Sequence, residues 1–336
     1  MAPTLRDVAQ LAGVSIKTVS NVVNDYPYIR DSTRERVRQA IETLGYVPNV
    51  AARNLRSGRT GVISLVMPDL RNPYFAELAD DVMRAAAAHG LVVLIEQLTG
   101  EREQEMETLR GLRQRAADGV LYSGLALTKD EAEHFLDLPV PLVLLGDRIF
   151  NGPADHVTIQ NVEGARSATE HLLSTGRRRL LALGKHEGEV IGSAGLRLKG
   201  YRQALETAGV DYRPELVVEV GRWHRVDGAE AMRRVLAAGL EFDGVVAFND
   251  SIGLGAMRVL VDAGRRVPED VAIIGFDDID ETRYTQPTLS TVDPGRPYIA
   301  RRAVEVLVER MNGLDTPPRE IPAPFVVVER ESTAVH

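Results

Sequence analysis

The chain has 336 residues, 44% apolar and 26% charged, with 40 Lys and Arg against 48 Asp and Glu for a formal charge of −8. That length implies two or three domains, and the balance is that of a globular protein with ample material for buried cores. The absence of cysteine excludes disulfide frameworks, thiolate metal sites and cysteine nucleophiles. No run reaches the roughly 18 apolar residues of a membrane span and no apolar leader core opens the chain, so a cytoplasmic protein is expected.

The charge is uneven. Met1 to Arg59 holds nine basic residues against five acidic ones, a net +4, and the remainder carries −12. A basic head on an acidic body attracts phosphate at one end and repels it at the other. Within the head, Thr4 to Asn24 reads T-L-R-D-V-A-Q-L-A-G-V-S-I-K-T-V-S-N-V-V-N. Two short helices are predicted around a turn at Gly13, with Thr4 and Ser15 as caps and Asp7 in the first turn of the first helix. Val8, Leu11, Val14, Val19 and Val22 supply apolar faces. Ile16, Lys17, Thr18, Ser20 and Asn21 occupy the other sides of the second helix, the kinds of side chain that reach base edges and phosphates. The pattern reads as a DNA-reading helix-turn-helix, although a plain αα-hairpin shares it.

A third helix is predicted after Pro27, capped by Asp31 and stopped by Gly45, with Val37, Ile41 and Leu44 as its apolar stripe. Val50 to Arg59, V-A-A-R-N-L-R-S-G-R, is basic and too short to be a stable helix alone. It is either a flexible linker or a hinge helix that orders on DNA, with Leu55 as a minor-groove wedge and Ala51 and Ala52 allowing close approach.

From Gly61 the texture becomes alternating strands and helices. Apolar runs at Val62–Met67, Leu91–Glu96, Gly119–Tyr122, Pro141–Gly146, Leu180–Gly184, Leu216–Val220, Gly244–Phe248 and Val271–Phe276 are separated by helical patterns, and a last long helix at Pro297–Asn312 precedes the strand P-F-V-V-V-E-R. Such alternation predicts two doubly wound parallel sheets in series, with ligands beyond the carboxyl ends of the strands. Asp69, Asp147, Asn249, Asp250, Asp277 and Asp278 stand there. Of the last two, one reads as a turn cap and the other as a ligand contact, and Asp277 is taken as the contact. Enzymatic readings find little: the seven histidines are scattered, with no H-E-x-x-H, Walker A or G-x-S-x-G pattern. G-L-G-A-M at Gly253 to Met257 falls inside a helix pattern and is no dinucleotide fingerprint. No catalytic residue, metal or cofactor is expected.

The pieces T-L-R-D-V-A-Q-L-A-G-V-S, T-V-S-N-V-V-N, T-R-E-R-V, L-G-Y-V-P-N and A-A-R-N-L-R-S-G, in that order, resemble the DNA-binding head of the lactose-repressor (LacI/GalR) family of bacterial transcription regulators. The body resembles the periplasmic-binding-protein-like domain of the same family through M-P-D-L-R-N-P-Y-F-A-E-L, L-G-D-R, G-A-R-S-A-T-E-H-L-L, R-L-K-G-Y-R-Q-A-L, F-N-D-S-I-G-L-G-A-M, I-I-G-F-D-D-I-D and P-T-L-S-T-V. The resemblance implies a head over 1–47, a hinge over 48–60, and a body over 61–336 that crosses between subdomains three times. The N-subdomain would be about 61–160 with 294–318, and the C-subdomain 161–293 with 319–336.

The resemblance also implies roles. Ile16, Lys17 and Asn21 would choose the operator sequence. Thr4, Ser15, Thr18, Ser20, Asn24, Thr33, Arg34 and Asn49 would contact DNA, mostly at phosphates, with Ala52, Arg53 and the intercalating Leu55 in the minor groove. Many relatives carry arginine at the position of Asn21. Asp69, Tyr74, Phe75, Asp147, Arg197, Trp223, Asn249 and Asp277 would hold a small-molecule effector. Carboxylates, an amide, an arginine fork and aromatic faces suit a sugar, with a purine or nucleoside co-repressor as the alternative. A free periplasmic-type sugar-binding protein is the rival for the body alone. Three of these positions have plainer readings: Trp223 as packing, Arg197 as a surface cation, Asp147 as the ion-pair partner of Arg148. Two departures from the family pattern stand out, Val292-Asp293-Pro294 where a polar contact is common, and Gln160 where aspartate is common at the crossover. The expected partners are a pseudo-palindromic operator and a second copy of the chain, without membrane or metal.

Overall fold

The computed structural model describes residues 3–23, 26–46, 59–98, 100–112, 117–131, 135 and 138–334. They fall into two compact units, Met1–Thr60 and Gly61–His336. In the first, α1 (Leu5–Ala12), α2 (Ile16–Val23) and α3 (Asp31–Leu44) close on a core of Val8, Ala9, Ala12, Val19, Val22, Val37, Ala40 and Tyr46. Thr4 and Asp7 form a reciprocal capping box: the Asp7 carboxylate accepts the Thr4 N–H at 2.8 Å, and the Thr4 hydroxyl accepts the Asp7 N–H at 3.4 Å. Gly13 ends α1 at φ +63°, a left-handed turn that a side chain would resist. The Ser15 hydroxyl accepts the Thr18 N–H at 3.1 Å, which starts α2.

Two details of the head differ from expectation. Leu11 is 53% exposed, because the buried stripe of α1 is Val8, Ala9 and Ala12, and at 3.6 residues per turn Leu11 points about 110° away from its centre. Asp31 is the first helical residue of α3 rather than its cap; Arg30 precedes the helix and makes no side-chain cap bond.

In the second unit, a six-stranded parallel sheet has the order β11-β5-β4-β3-β1-β2. Its strands are β1 (Val62–Met67), β2 (Val92–Gln97), β3 (Gly119–Tyr122), β4 (Leu142–Leu145), β5 (Asp155–Thr158) and β11 (Glu320–Pro322). The four-stranded parallel sheet β7-β6-β8-β9 uses β6 (Leu180–Lys185), β7 (Val217–Glu219), β8 (Gly244–Ala247) and β9 (Ala272–Ile274). An antiparallel pair joins β10 (Thr291–Asp293) to β12 (Val326–Val328). The helices α4 (Pro73–Ala88), α5 (Arg102–Leu112), α6 (Asn161–Ser174), α7 (Ser193–Thr207), α8 (Arg225–Ala237), α9 (Asp250–Asp262) and α10 (Arg296–Met311) cover the sheets. β3, β4 and β8 are buried throughout, which is why they read as continuous apolar runs instead of alternating ones. The second glycine of G-L-G-A-M serves helix packing: a Cβ on Gly255 would lie 1.9 Å from the Arg225 carbonyl of α8.

The two strands β5 and β11, D-H-V-T and E-I-P, are short and partly polar and gave no strand signal. Their pairing moves a boundary. The last crossover, expected between residues 318 and 319, comes after β11, since 320–322 lie in the large sheet and 326–328 pair with β10. Asp155 is the reason. Its buried carboxylate accepts from Arg310 Nε at 2.7 Å, Arg319 Nε at 3.1 Å and the Arg319 N–H at 2.8 Å, tying β11 beside β5. Those two guanidiniums hold the Asp155 carboxyl down at about 2 against the cost of its burial. The Gln160 amide then donates to the Ala323 carbonyl at 2.8 Å, so this departure from the family pattern binds one crossover strand to another. Among the described residues no helix is long and apolar enough to cross a membrane.

Candidate functional site

A cavity of about 470 Å³ opens at the carboxyl ends of the strands of both sheets. The large sheet lines it with the carboxyl ends of β1, β2, β3, β4 and β5 and the segments after them, and the small sheet with those after β6, β7 and β9. Asp69, Tyr74, Phe75, Asp147, Arg197, Trp223 and Asp277 all line this space. Asn249 does not. It is 1% exposed, caps α9 by accepting the Ile252 N–H at 2.9 Å, and donates to the Trp223 carbonyl at 3.1 Å. A side chain expected to touch ligand instead holds the loop that carries the tryptophan.

Arg197 lies on the first turns of α7 and is 3% exposed, so it is no surface cation. Its Nε donates to Asn161 Oδ1 at 2.7 Å and its Nη1 to the Phe248 carbonyl. The guanidinium carbon sits 3.6 Å from the Phe276 ring centroid, and Nη2 is 3.7 Å from Asp277 Oδ1. Burial of a cation is tolerated here because acceptors and an aromatic face surround it.

Asp277 and Asp278, alike in sequence, have different surroundings. Asp278 is held by Arg283 at 2.6 Å and by Arg330, the structural pairing. Asp277 lines the cavity at φ +124°, a backbone region in which a residue with a side chain stores about 1–3 kcal/mol of strain. The bond from its N–H to the Val292 carbonyl at 2.8 Å keeps it there. Burial raises its carboxyl well above the usual carboxylate range; Arg197 opposes the rise, and Asp250 and Asp147 add to it. Tyr74 is buried beside Asp277 and Asp147, and burial raises its phenol, so it faces the cavity as a protonated donor. The other departure from the family pattern is a buried one: Val292 packs in the core and Asp293 accepts the Gly295 N–H at 2.8 Å.

Asp250, beneath this floor, accepts from the Thr291 hydroxyl at 2.6 Å and the Ile279 N–H at 3.1 Å, and burial pushes its carboxyl up to about 7. A folded value above the unfolded value of 3.8 favours the protonated form in the fold. Its contribution to stability is complete below about pH 4 and is lost as the pH rises through 7. Asp250→Asn is expected to gain stability relative to wild type as the pH is raised from about 4 to 8, read as the difference between their melting temperatures. An offset that does not change with pH counts against this protonation.

Asp147 receives the Ser193 hydroxyl on Oδ2, while its buried Oδ1 has no hydrogen-bond partner among the described residues. It does not pair with Arg148, which reaches Glu189 at 3.2 Å instead. Trp223 both packs and lines: its Nε1 donates to the Gly184 carbonyl at 3.0 Å, and its ring lies 6.4 Å from that of Phe248 and 5.2 Å from that of His186. Several lining residues escaped the sequence reading, among them Asn72, Gln97, His186, Glu189 and His224. His224 lies 2.6 Å from Asp69 through Nε2, linking a loop of the small sheet to one of the large. The signal available was its place in G-R-W-H-R-V, between a strand and a helix.

On the head, α2 buries Val19 and Val22 and turns Ile16 and Lys17 outward beside Ser15, with Thr18, Ser20 and Asn21 half-exposed. Thr4 is exposed, and Thr33 and Arg34 are half-exposed at the start of α3, where an Arg34 nitrogen also donates to the Tyr26 carbonyl at 3.0 Å. Asn24, Asn49, Ala52, Arg53 and Leu55, with the expected hinge helix, lie outside the described residues. Among the described residues no group of three His, Asp or Glu could hold a metal ion.

Comparison with known proteins adds the following. Residues 4–49 match the model of bacterial regulatory proteins of the lacI family, and residues 169–333 that of the periplasmic binding protein-like domain. The HTH-type transcriptional regulator CelR of Thermobifida fusca is 36% identical over 98% of both chains. A solved complex of a transcriptional regulator CelR with cellobiose is 33% identical, with a TM-score of 0.73 over 98% of this chain and 99% of that one. A lac repressor dimer bound to operator and the anti-inducer ONPF is 25% identical, with a TM-score of 0.84 over the whole of both chains.

Proposed function

This chain belongs to the lacI family of bacterial regulatory proteins, and we propose that a sugar bound in its cleft sets how well two copies of its head grip an operator. It is an effector-controlled, DNA-binding transcriptional regulator and not an enzyme. The finer reading is a cytoplasmic repressor, dimeric through the body, on a pseudo-palindromic site.

The observation that carries the ligand class is the convergence, in one cavity between two sheets, of Asp147, Arg197 and Asp277 with Tyr74, Phe75 and Trp223. Carboxylates and a guanidinium fork match vicinal hydroxyls, and the rings offer flat apolar faces to C–H groups. That a relative forms a complex with cellobiose supports a sugar here. The cleft bridges two subdomains, through Asp69 and His224, and Asp147 and Ser193. A ligand that prefers one setting of these contacts shifts the population that can hold both hinges on DNA, in proportion to its differential affinity.

On the DNA side, Ile16, Lys17 and Asn21 would read base edges, and Thr4, Ser15, Thr18, Ser20, Asn24, Thr33, Arg34 and Asn49 would fix the head on the backbone. Ala52 and Arg53 would follow the minor groove and Leu55 would wedge between base pairs. Leu55→Ala is expected to weaken operator binding at least about tenfold and binding to unrelated duplex less than about twofold, measured by fluorescence anisotropy. Equal losses on both duplexes would rule out the wedge. For the effector, thermal shift of the full chain against pentoses, hexoses, disaccharides and nucleosides tests the reading, since a ligand of the folded body raises its melting temperature. A nucleoside that stabilises where no sugar does would replace the sugar by a purine-type co-repressor.

A further inference from the structure

Three crossings join the two subdomains of the body. The first runs from β5 through Ile159 and Gln160 into α6, which packs on the small sheet. The second runs from β10 through Gly295 into α10, which packs on the large sheet. The third runs from β11 through Ala323 and Pro324 to β12. Any change in the setting of the cleft must turn the backbone in these segments. The second and third crossings are pressed together: Gly295 stands at φ +75°, where a Cβ would lie 2.3 Å from the Pro324 carbonyl.

The first and third crossings meet at Ala323, which is fully buried. Its two backbone polar groups are divided between the two sides of the turning point. Its N–H donates to the Thr158 carbonyl at 2.9 Å, on the large-sheet side. Its carbonyl accepts the Gln160 side-chain amide at 2.8 Å, on the small-sheet side. The Gln160 carbonyl accepts the Gly164 N–H at 2.8 Å, so the backbone of Gln160 travels with α6. The Thr158 bond continues the pairing of β11 with β5 and stays with the large sheet however the hinge is set. The Gln160 bond spans the turning point. A subdomain rotation of about 15° moves a group one strand spacing, about 4.8 Å, from the axis by up to about 1.3 Å. That stretches the 2.8 Å bond to roughly 4 Å, past hydrogen-bonding range, and takes this donor from a buried carbonyl.

Resting on the reading of the cleft as a hinge with more than one setting, we propose that the Gln160–Ala323 bond is a hinge tie. It is made in the setting seen here and broken in the other, and so biases the body toward this one. One such bond shifts the balance between settings by about two- to tenfold. Neither Gln160 nor Ala323 lines the cavity. The tie therefore acts without touching the effector, and residue 160 sets how much differential affinity an effector must supply to move the hinge.

Electron–electron double resonance of the full chain reads the setting, with nitroxides on Glu107→Cys of α5 and Glu230→Cys of α8. Both sites are exposed, and the chain has no other cysteine. Excess unlabelled chain restricts the signal to distances within one copy. Gln160→Met keeps the reach of the side chain and removes the donor, and Gln160→Asp sets a carboxylate against the carbonyl. In both, the population outside the main wild-type distance is expected to grow at least about threefold. Their melting temperatures should stay within a few degrees of wild type, because Gln160 is only half-buried. Asp69→Ala, which removes the contact with His224 across the cleft, is the companion measurement. A distance that shifts in Asp69→Ala but keeps its wild-type distribution in both Gln160 variants overturns the tie and leaves the two-setting cleft standing. An unchanged distribution in all three variants makes the subdomains one fixed body, and the hinge reading falls with the tie. A lowered melting temperature with an unchanged distribution makes Gln160 a packing contact only and likewise overturns the tie.

Discussion

Arg197→Met is expected to lower effector affinity at least a hundredfold, while the effector-free variant holds operator DNA within about threefold of wild type. The guanidinium is buried, 3.7 Å from Asp277 and against the Phe276 ring, in the wall of the cavity and remote in sequence from the head. Removing it takes away the only buried arginine among the described residues that line the pocket, and leaves the Phe248 carbonyl and Asn161 Oδ1 without its donors. Unmet buried acceptors cost about 1–3 kcal/mol each, so the melting temperature of the body should also fall by several degrees. Titration calorimetry reads the effector loss, and anisotropy on operator with and without effector reads the response. Arg197→Lys should recover stability better than binding, because an ammonium cannot span two hydroxyls as a fork does. A variant that still releases operator at the wild-type effector concentration would place the pocket elsewhere.

Glu105→Leu is expected to destabilise the body by about 3 kcal/mol or more and lower its melting temperature by roughly 6–12 °C. Glu105, on α5, is fully buried. Its Oε1 accepts the N–H groups of Leu125 at 2.8 Å and Ala126 at 3.0 Å, and its Oε2 accepts the Leu127 N–H at 3.2 Å and the Tyr122 hydroxyl at 2.9 Å. One carboxylate thus satisfies three consecutive amides of the loop after β3, the loop that brings Ser123 and Leu125 to the cavity. Leucine keeps the volume and leaves those amides without acceptors, whereas Glu105→Gln keeps one carbonyl acceptor and should lose less. Differential scanning calorimetry of the full chain measures the drop. Unaltered melting of the leucine variant would mean that the loop finds other acceptors at no cost.

The two cases differ in how they could be foreseen. Arg197 was singled out from G-L-R-L-K-G-Y by its resemblance to a family motif. Glu105 sits in R-E-Q-E-M-E-T-L-R among several charges that look alike on a helix, and nothing local marks the one that is buried. Asp277 and Asp278 show the same limit. Their place after a strand was legible, but which of them meets Arg330, 52 residues on, is decided by the tertiary fold, with Arg283 five residues away completing the pairing. Asn249 shows it too: a polar residue after a strand is a ligand contact or a helix cap according to where its side chain turns, and here it caps α9 and holds the Trp223 carbonyl.

By itself the sequence determined the head's three helices, the turn at Gly13, the two parallel sheets with the candidate site at the carboxyl ends of their strands, and the family. These follow from short-range rules, in which apolar periodicity, caps and strand–helix alternation act within a few residues. The tertiary structure decided what long-range pairing decides. It put β5 and β11 into the large sheet around Asp155, moved the last crossover past Pro322, turned Asn249 inward, and joined Asp69 to His224 across the cleft. Buried polar groups must find partners wherever the fold brings them, even 164 residues away, as in Asp155 with Arg319.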